Sequence, residues 1–217
     1  IGLLGGFVMS FGFIAFVFAM MNTSVANVVF TISTQTMFLA LFGYFYLKEK
    51  ISLIGLLSII LAMMGISIMI NDSVSSGTLF GNLLALTIPI SFSIYVMILR
   101  KNSNLDLIPA IWYASIFSIL YSLVMVDSFS FTNNDIFMGF LLGVPQLTFG
   151  FVCITIGSRT TRSVTIGLLM LTETIFAPLW VWLFLNEIPP LSVFIGGTVI
   201  IFAIIVKSLD KNKSITA

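Results

Sequence analysis

One carboxylate, Glu173, lies near the middle of a long apolar stretch of the sequence, where ionisable residues are rare. A charge at the centre of a bilayer costs about 2.5–3.5 kcal/mol on the insertion scale, so such a residue usually faces a cavity or a partner. The apolar stretches contain no Lys or Arg that could pair with it. Two chemistries remain open: binding of a substrate or proton in a cavity, or a neutral carboxyl hydrogen-bonded between helices, with Gln35 as the candidate partner.

Other polar side chains recur in the apolar stretches at steps of three and four residues, which places them on single helical faces. Asn27, Thr31, Thr34 and Gln35 form one such face. The candidate substrate-binding residues are Glu173, Gln35, Thr34, Thr172, Gln146, Tyr95, Asn27 and Trp180. A plainer interpretation is that Ser and Thr join helices at about 0.6 kcal/mol each. The two glutamines fit either role, and Trp180 could instead be an interfacial anchor.

The prolines and glycines of these stretches are predicted to shape the helices rather than to bind. Proline inside a membrane helix frees backbone groups and kinks it, and the expected kink residues are Pro89, Pro145 and Pro178. Small residues four apart, such as Gly2 with Gly6 and the equivalent Gly139 with Gly143, allow close helix packing. A structural role is also expected for the glycines that the two copies share: Gly5, Gly12, Gly143 and Gly150. The sequence contains no His and a single Cys, which disfavours metal sites and an intramembrane enzyme. We therefore expect no cofactor.

These residues must be positioned by helices in a membrane. Apolar residues make up 59% of the chain and charged residues 8%, against about 25% charged in soluble domains. Crossing a bilayer core requires roughly 20 apolar residues, and lipid satisfies no backbone groups, so long apolar runs form helices. The sequence predicts eight spans: 3–21, 25–47, 52–70, 79–99, 107–126, 136–157, 164–185 and 191–208.

The distribution of charge predicts how the chain is oriented. All nine Lys and Arg residues lie at the end of the second, fourth, sixth or eighth span or just after it. The positive-inside rule then places those ends and the C-terminus in the cytoplasm. We expect a multi-pass protein of the bacterial inner membrane that is surrounded by lipid. The near-zero net charge argues against a nucleic-acid partner.

The sequence also resembles itself after a shift of 138 residues. Residues 1–49 align with residues 139–187 without a gap and agree at thirteen positions, including Phe11-Gly12-Phe13 with Phe149-Gly150-Phe151. The shift covers five spans, so the two copies would have opposite orientations in the membrane. Inverted repeats are typical of secondary transporters. By this alignment the first copy lacks two spans before Ile1, and the complete bundle would have ten helices.

Several residues of the second copy resemble a known family. Residues 172–180, Leu185-Asn186-Glu187 and Gly196-Gly197 are similar to the EamA-type, ten-helix branch of the drug/metabolite transporter superfamily. The equivalents in the first copy are Thr34-Gln35-Thr36, residues 47–50 and Gly55, although Ala40 replaces the proline at Pro178. The resemblance implies a helical bundle around a central cavity, lined here by spans 1, 2, 4, 6 and 7.

The predicted organisation is therefore an all-α membrane bundle of eight spans from an inverted five-plus-five repeat. Residues 1–70 form the first repeat without its first two helices, residues 77–208 form the second, and residues 209–217 form a cytoplasmic tail. The expected function is export of a small polar metabolite such as an amino acid by alternating access, with a proton as a candidate coupling ion. A multidrug or cation exporter is the alternative, and a channel is less favoured. The sequence does not decide the oligomeric state.

Overall fold

The computed structural model describes residues 1–23, 25–70, 79–125, 132–185 and 191–209. Within these ranges the chain is helical, and the predicted polytopic helical bundle is confirmed. The helices are α1 (Gly2–Asn22), α2 (Val25–Ser33), α3 (Gln35–Leu47), α4 (Leu53–Ile70), α5 (Leu79–Lys101), α6 (Pro109–Met125), α7 (Asn133–Leu141), α8 (Phe149–Gly157), α9 (Ser163–Met170), α10 (Thr172–Leu185) and α11 (Leu191–Ser208). A π-helical segment, Leu142–Thr148, joins α7 to α8.

Each predicted span corresponds to one helix, to a helix in two parts or, for the sixth span, to α7, the π-helical segment and α8 in succession. Over the described residues, five segments are long and apolar enough to cross a membrane: Gly2–Asn22, Asn27–Leu47, Leu79–Lys101, Asn133–Gly157 and Leu191–Ser208. The remaining three spans form shorter apolar helices, Leu53–Ile68, Pro109–Met125 and Ser163–Phe176. Large apolar side chains cover much of the outer surface, as expected for helices that face lipid.

The helices pack into two groups that share α3 and α9. One group contains α1, α5 and α6, and the other contains α4 packed along α11. On α3, Leu39 is buried with the first group and the neighbouring Ala40 with the second. On α9, Ile166 and Leu168 divide in the same way. The second and seventh spans therefore form the centre of the bundle.

The basic residues collect at one end of the bundle, which we call the basic end. The described ones are Lys48, Lys50, Arg100, Lys101, Arg159, Arg162 and Lys207. Contacts between helix ends confirm the grouping: Lys101 Nζ donates to the Tyr46 hydroxyl at 3.3 Å and Lys207 Nζ to Ser52 Oγ at 3.5 Å. This arrangement matches the alternation of charge along the sequence.

Candidate functional site

The second span is interrupted near its middle, between α2 and α3. In a continuous α-helix the Thr34 N–H would donate to the carbonyl of Phe30, four residues earlier. Here it donates to the carbonyl of Thr31 at 3.1 Å, and the Thr34 hydroxyl donates to the same carbonyl at 2.6 Å. Such a three-residue turn tightens the helix locally. The break changes the backbone hydrogen bonding at the depth of the predicted site.

The seventh span has an equivalent break between α9 and α10. The Leu171 N–H donates to the Leu168 carbonyl at 3.1 Å instead of to Gly167, four residues earlier. Leu171 lies one residue before Thr172, which aligns with Thr34 after the shift of 138. Broken helices that meet near the midplane are a recurring way to build a transporter site, because they present main-chain polar groups to a cavity.

The two broken spans cross in direct contact. The carbonyl of Gly167, which Leu171 does not use, accepts a hydrogen bond from the Thr36 hydroxyl at 3.0 Å. A Cβ added at Gly167 would lie 2.8 Å from the Thr36 Cα, so only glycine permits this approach. Thr36 is completely buried. The break in the seventh span therefore supplies the acceptor that ties it to the second span.

A buried polar pair lies beside this crossing, between α5 and α8. The Tyr95 hydroxyl and Thr155 Oγ1 are 3.0 Å apart, and Thr155 Oγ1 also donates to the Phe151 carbonyl at 2.7 Å. Phe151 packs edge-on against Phe13 and Tyr95, with ring centroids 5.3 and 6.3 Å apart. Phe92 completes this aromatic cluster. Tyr95 is fully buried among apolar rings and keeps a polar partner, as buried tyrosines generally do.

Glu173 and Gln35, the two residues for which the sequence suggested a hydrogen bond, differ in their burial. Gln35 is 6% exposed, in the first turn of α3. Glu173 is exposed, in the first turn of α10. In the described part of the chain the two side chains form no hydrogen bond or ion pair with each other. Thr172 is half-buried and donates to the Leu169 carbonyl at 2.7 Å, so it closes the turn at the break.

The other candidate binding residues lie away from the crossing. Gln146 is exposed on the π-helical segment. Trp180 is 54% exposed and packs against Phe184 at a centroid distance of 5.8 Å. Asn27 lies at the end opposite the basic end, where its Nδ2 donates to Thr23 Oγ1 at 3.1 Å. There it helps to join α1, α2 and α5, because Thr23 Oγ1 also donates to Asn82 Oδ1 at 2.8 Å.

The glycines of the two copies have different surroundings. A Cβ at Gly5 would meet Tyr95 at 3.6 Å, and one at Gly12 would meet Ser91 Cβ at 3.2 Å. Gly143 and Gly150, at the matching positions, have no described neighbour within 4 Å of such a Cβ. The glycines that the two copies share therefore pack against neighbouring residues in the first copy, whereas the described residues provide no such neighbours in the second.

The three prolines also differ in their surroundings. Pro89 is buried within the unbroken helix α5, whereas Pro145 is exposed within the π-helical segment. The backbone at Pro178 belongs to α10, and its side chain lies outside the described part of the chain.

Sequence reasoning missed three residues that the structure places at the centre: Thr36, Gly167 and Thr155. The repeat carried a signal for Thr36, because it matches Thr174. Thr155 and Gly167 had no such signal, since their counterparts are Val17 and Val29. Their importance depends on which neighbouring helix they face.

An apolar outer surface, long helices and two broken spans that cross at the centre define a polytopic membrane protein of the transporter class. The chain belongs to the EamA-like transporter family, whose profile matches residues 1–71 and 79–209. An uncharacterised transporter of Clostridium kluyveri is 26% identical over 212 residues, which cover 91% of this chain and 68% of that protein. A solved crystal structure superimposes with a TM-score of 0.83 at 15% identity, over 95% of this chain and 75% of that one. The resemblance seen in the sequence is therefore confirmed.

Proposed function

We propose that the protein is a secondary transporter that exports a small polar metabolite, such as an amino acid, by alternating access between two inverted repeats. The observation that carries this proposal is the crossing of two spans that break at nearly equivalent positions, Thr34 and Leu171. Broken helices offer main-chain donors and acceptors to a polar solute at membrane depth. The Thr36–Gly167 hydrogen bond places the two breaks close together.

The proposed substrate contacts are the polar groups on either side of this crossing. Gln35 and Thr34 flank the break in the second span, and Thr172 and Glu173 flank the break in the seventh. One carboxyl, one amide and two hydroxyls suit a zwitterionic or uncharged polar solute. Glu173 would supply the negative charge, either for an amino group of the substrate or for a coupling proton.

Export of hydrophobic cations is the second candidate function. An apolar groove of about 480 Å³ lies along α3 and α4, lined by Met37, Ile59, Ile60, Met63, Met64, Ser67 and Ile68. Methionine side chains adapt to ligands of varied shape, and the exposed Glu173 carboxyl would attract a cation. A polar metabolite gains little from this groove, so the two candidates predict different substrates.

Counterflow in liposomes containing the natural full-length protein tests both candidates. Preloaded vesicles are offered radiolabelled amino acids or a hydrophobic cation such as tetraphenylphosphonium. Saturable counterflow with an amino acid supports the proposal, counterflow with the cation alone supports the second candidate, and flux without counterflow indicates a channel. Glu173→Gln and Glu173→Ala should slow the flux at least about tenfold, with Asp135→Asn as an exposed control. Wild-type rates and wild-type pH dependence in both variants would exclude Glu173 from the site.

A further inference from the structure

The carboxylate of Glu49 joins three helices at the basic end. It forms an ion pair with the guanidinium of Arg100, at the end of α5. Its second oxygen accepts a hydrogen bond from the backbone N–H of Ser163, at the start of α9, at 3.2 Å. Arg100 Nη1 also donates to Ser163 Oγ at 2.7 Å. We call Glu49, Arg100 and Ser163 the basic-end latch.

The end of α3 positions this carboxylate. Lys48 adopts the left-handed conformation with φ 55°, and the Glu49 N–H donates back to the Gly43 carbonyl at 3.0 Å. This helix-ending turn reverses the chain and places the Glu49 side chain against Gly43. A Cβ at Gly43 would lie 2.8 Å from Glu49 Oε2 and 2.9 Å from Ser163 Cβ. The approach of α9 to α3 therefore requires glycine at this position.

Burial distinguishes this ion pair from the other one described at the same end. The side chains of Arg100 and Glu49 are 10% and 16% exposed, whereas those of Arg159 and Asp106 are 34% and 68% exposed at 3.1 Å. Water and salt screen an exposed pair, which contributes little. Removing one partner of a shielded pair leaves an uncompensated charge. The Glu49 carboxylate also lies at the positive end of the α9 dipole, which favours a negative charge.

The sixth and seventh spans pack differently at the two ends of the bundle. Near the basic end, α9 contacts α3, and the Thr155 side chain of α8 bonds to Tyr95. At the opposite end, the described side chains of α7 are all exposed, and α10 packs mainly against α11. In the sixth and seventh spans, the described residues therefore pack against the first copy and α5 at the basic end, whereas the described side chains of α7 are exposed at the other.

We propose that the Glu49 carboxylate holds the basic end closed and that its release from Arg100 and Ser163 opens that end. This inference rests on the proposed alternating-access function, because it names the contact that keeps the basic end closed in one of the two alternating states. Glu49 lies in the first sequence copy, whereas Arg100 and Ser163 lie in the second. Movement of one copy against the other must therefore break both contacts of the carboxylate.

Distance measurement across the basic end tests the latch without requiring a substrate. Nitroxide labels replace the exposed residues Phe45 and Thr160 in the full-length protein, with Cys153→Ser to remove the native thiol, and pulsed electron resonance is recorded in lipid nanodiscs. Glu49→Gln should raise the population at longer label distances about tenfold, the ratio expected for loss of one charge-assisted hydrogen bond. Asp106→Asn, which removes the exposed carboxylate at the same end, should leave the distribution unchanged.

A second variant covers the case in which the single change prevents folding. Glu49→Gln combined with Arg100→Gln leaves no unpaired charge at the latch, and it should also shift the distances outward because Ser163 has lost its carboxylate acceptor. Wild-type distances in the folded variants, or an equal shift in Asp106→Asn, would overturn the latch. Counterflow measured on the same proteins reconstituted into liposomes separates the two proposals. Absence of counterflow in the protein that keeps Glu49 contradicts the transport function, while the distances report only on the latch.

Discussion

Replacing Gly167 with alanine perturbs the crossing of the two broken spans at its closest point. The added Cβ would lie 2.8 Å from the Thr36 Cα, whereas ordinary contact begins at 3.4 Å, so the backbones must separate by about 3.4 − 2.8 = 0.6 Å. Overpacking of this kind costs about 1–3 kcal/mol, and weakening the buried Thr36 hydrogen bond adds about 1 kcal/mol. Alanine regains about 0.5–1 kcal/mol as the better helix former. The expected net loss is about 1–3 kcal/mol.

Thermal unfolding in detergent measures this loss, with Gly150→Ala as the matched control. Each kcal/mol corresponds to a shift of roughly 2–4 °C for a chain of this size, so Gly167→Ala should unfold several degrees earlier than the wild type. Gly150 is also helical but has no described neighbour within 4 Å, so its alanine variant should be neutral or more stable. A Gly167→Ala protein as stable as the Gly150→Ala protein would refute the close crossing.

Two further substitutions test the packing around the centre. Tyr95→Phe removes the hydroxyl that lies 3.0 Å from Thr155 Oγ1. Because Thr155 keeps its bond to a backbone carbonyl, the free energy of unfolding should fall by only about 0.5–1.5 kcal/mol. An unchanged melting temperature would show that the Tyr95–Thr155 bond contributes nothing. Gly6→Ala places a Cβ 2.6 Å from Tyr113 Cβ and should lower the melting temperature by several degrees or abolish folding, whereas Gly139→Ala, with no described neighbour within 4 Å, should not. Equal behaviour of the two glycine variants would contradict the packing of α1 on α6.

The bundle, the grouping of basic residues and the family could be predicted because each depends on patterns along the sequence and not on contacts between helices. Apolar length predicts a span, and the alternation of Lys and Arg predicts the sides. The breaks at Thr34 and Leu171 could not be predicted this way, since neither residue is proline or glycine. They depend on hydrogen bonds and on the packing of neighbouring helices.

The polar contacts within the bundle were harder to predict, because periodicity gives the face of one helix but not the helix opposite. Tyr95 was singled out from its spacing, whereas its partner Thr155 lies sixty residues away on another span. Glu49 and Arg100 lie at helix ends, where water ordinarily solvates a charge, so the sequence gives no sign that they are buried together. Their mutual burial depends on Gly43 and on the start of α9, which only the three-dimensional arrangement brings together.

The breaks in the second and seventh spans also bear on how such a protein tolerates mutation. Carbonyl groups displaced from regular helical bonding belong to every residue type, so no exchange of one side chain for another deletes them. A binding surface made of peptide groups would keep its hydrogen-bonding capacity when the surrounding side chains are substituted. Single substitutions next to the breaks would then change which solute a relative binds, while the peptide groups that all relatives share remain in place.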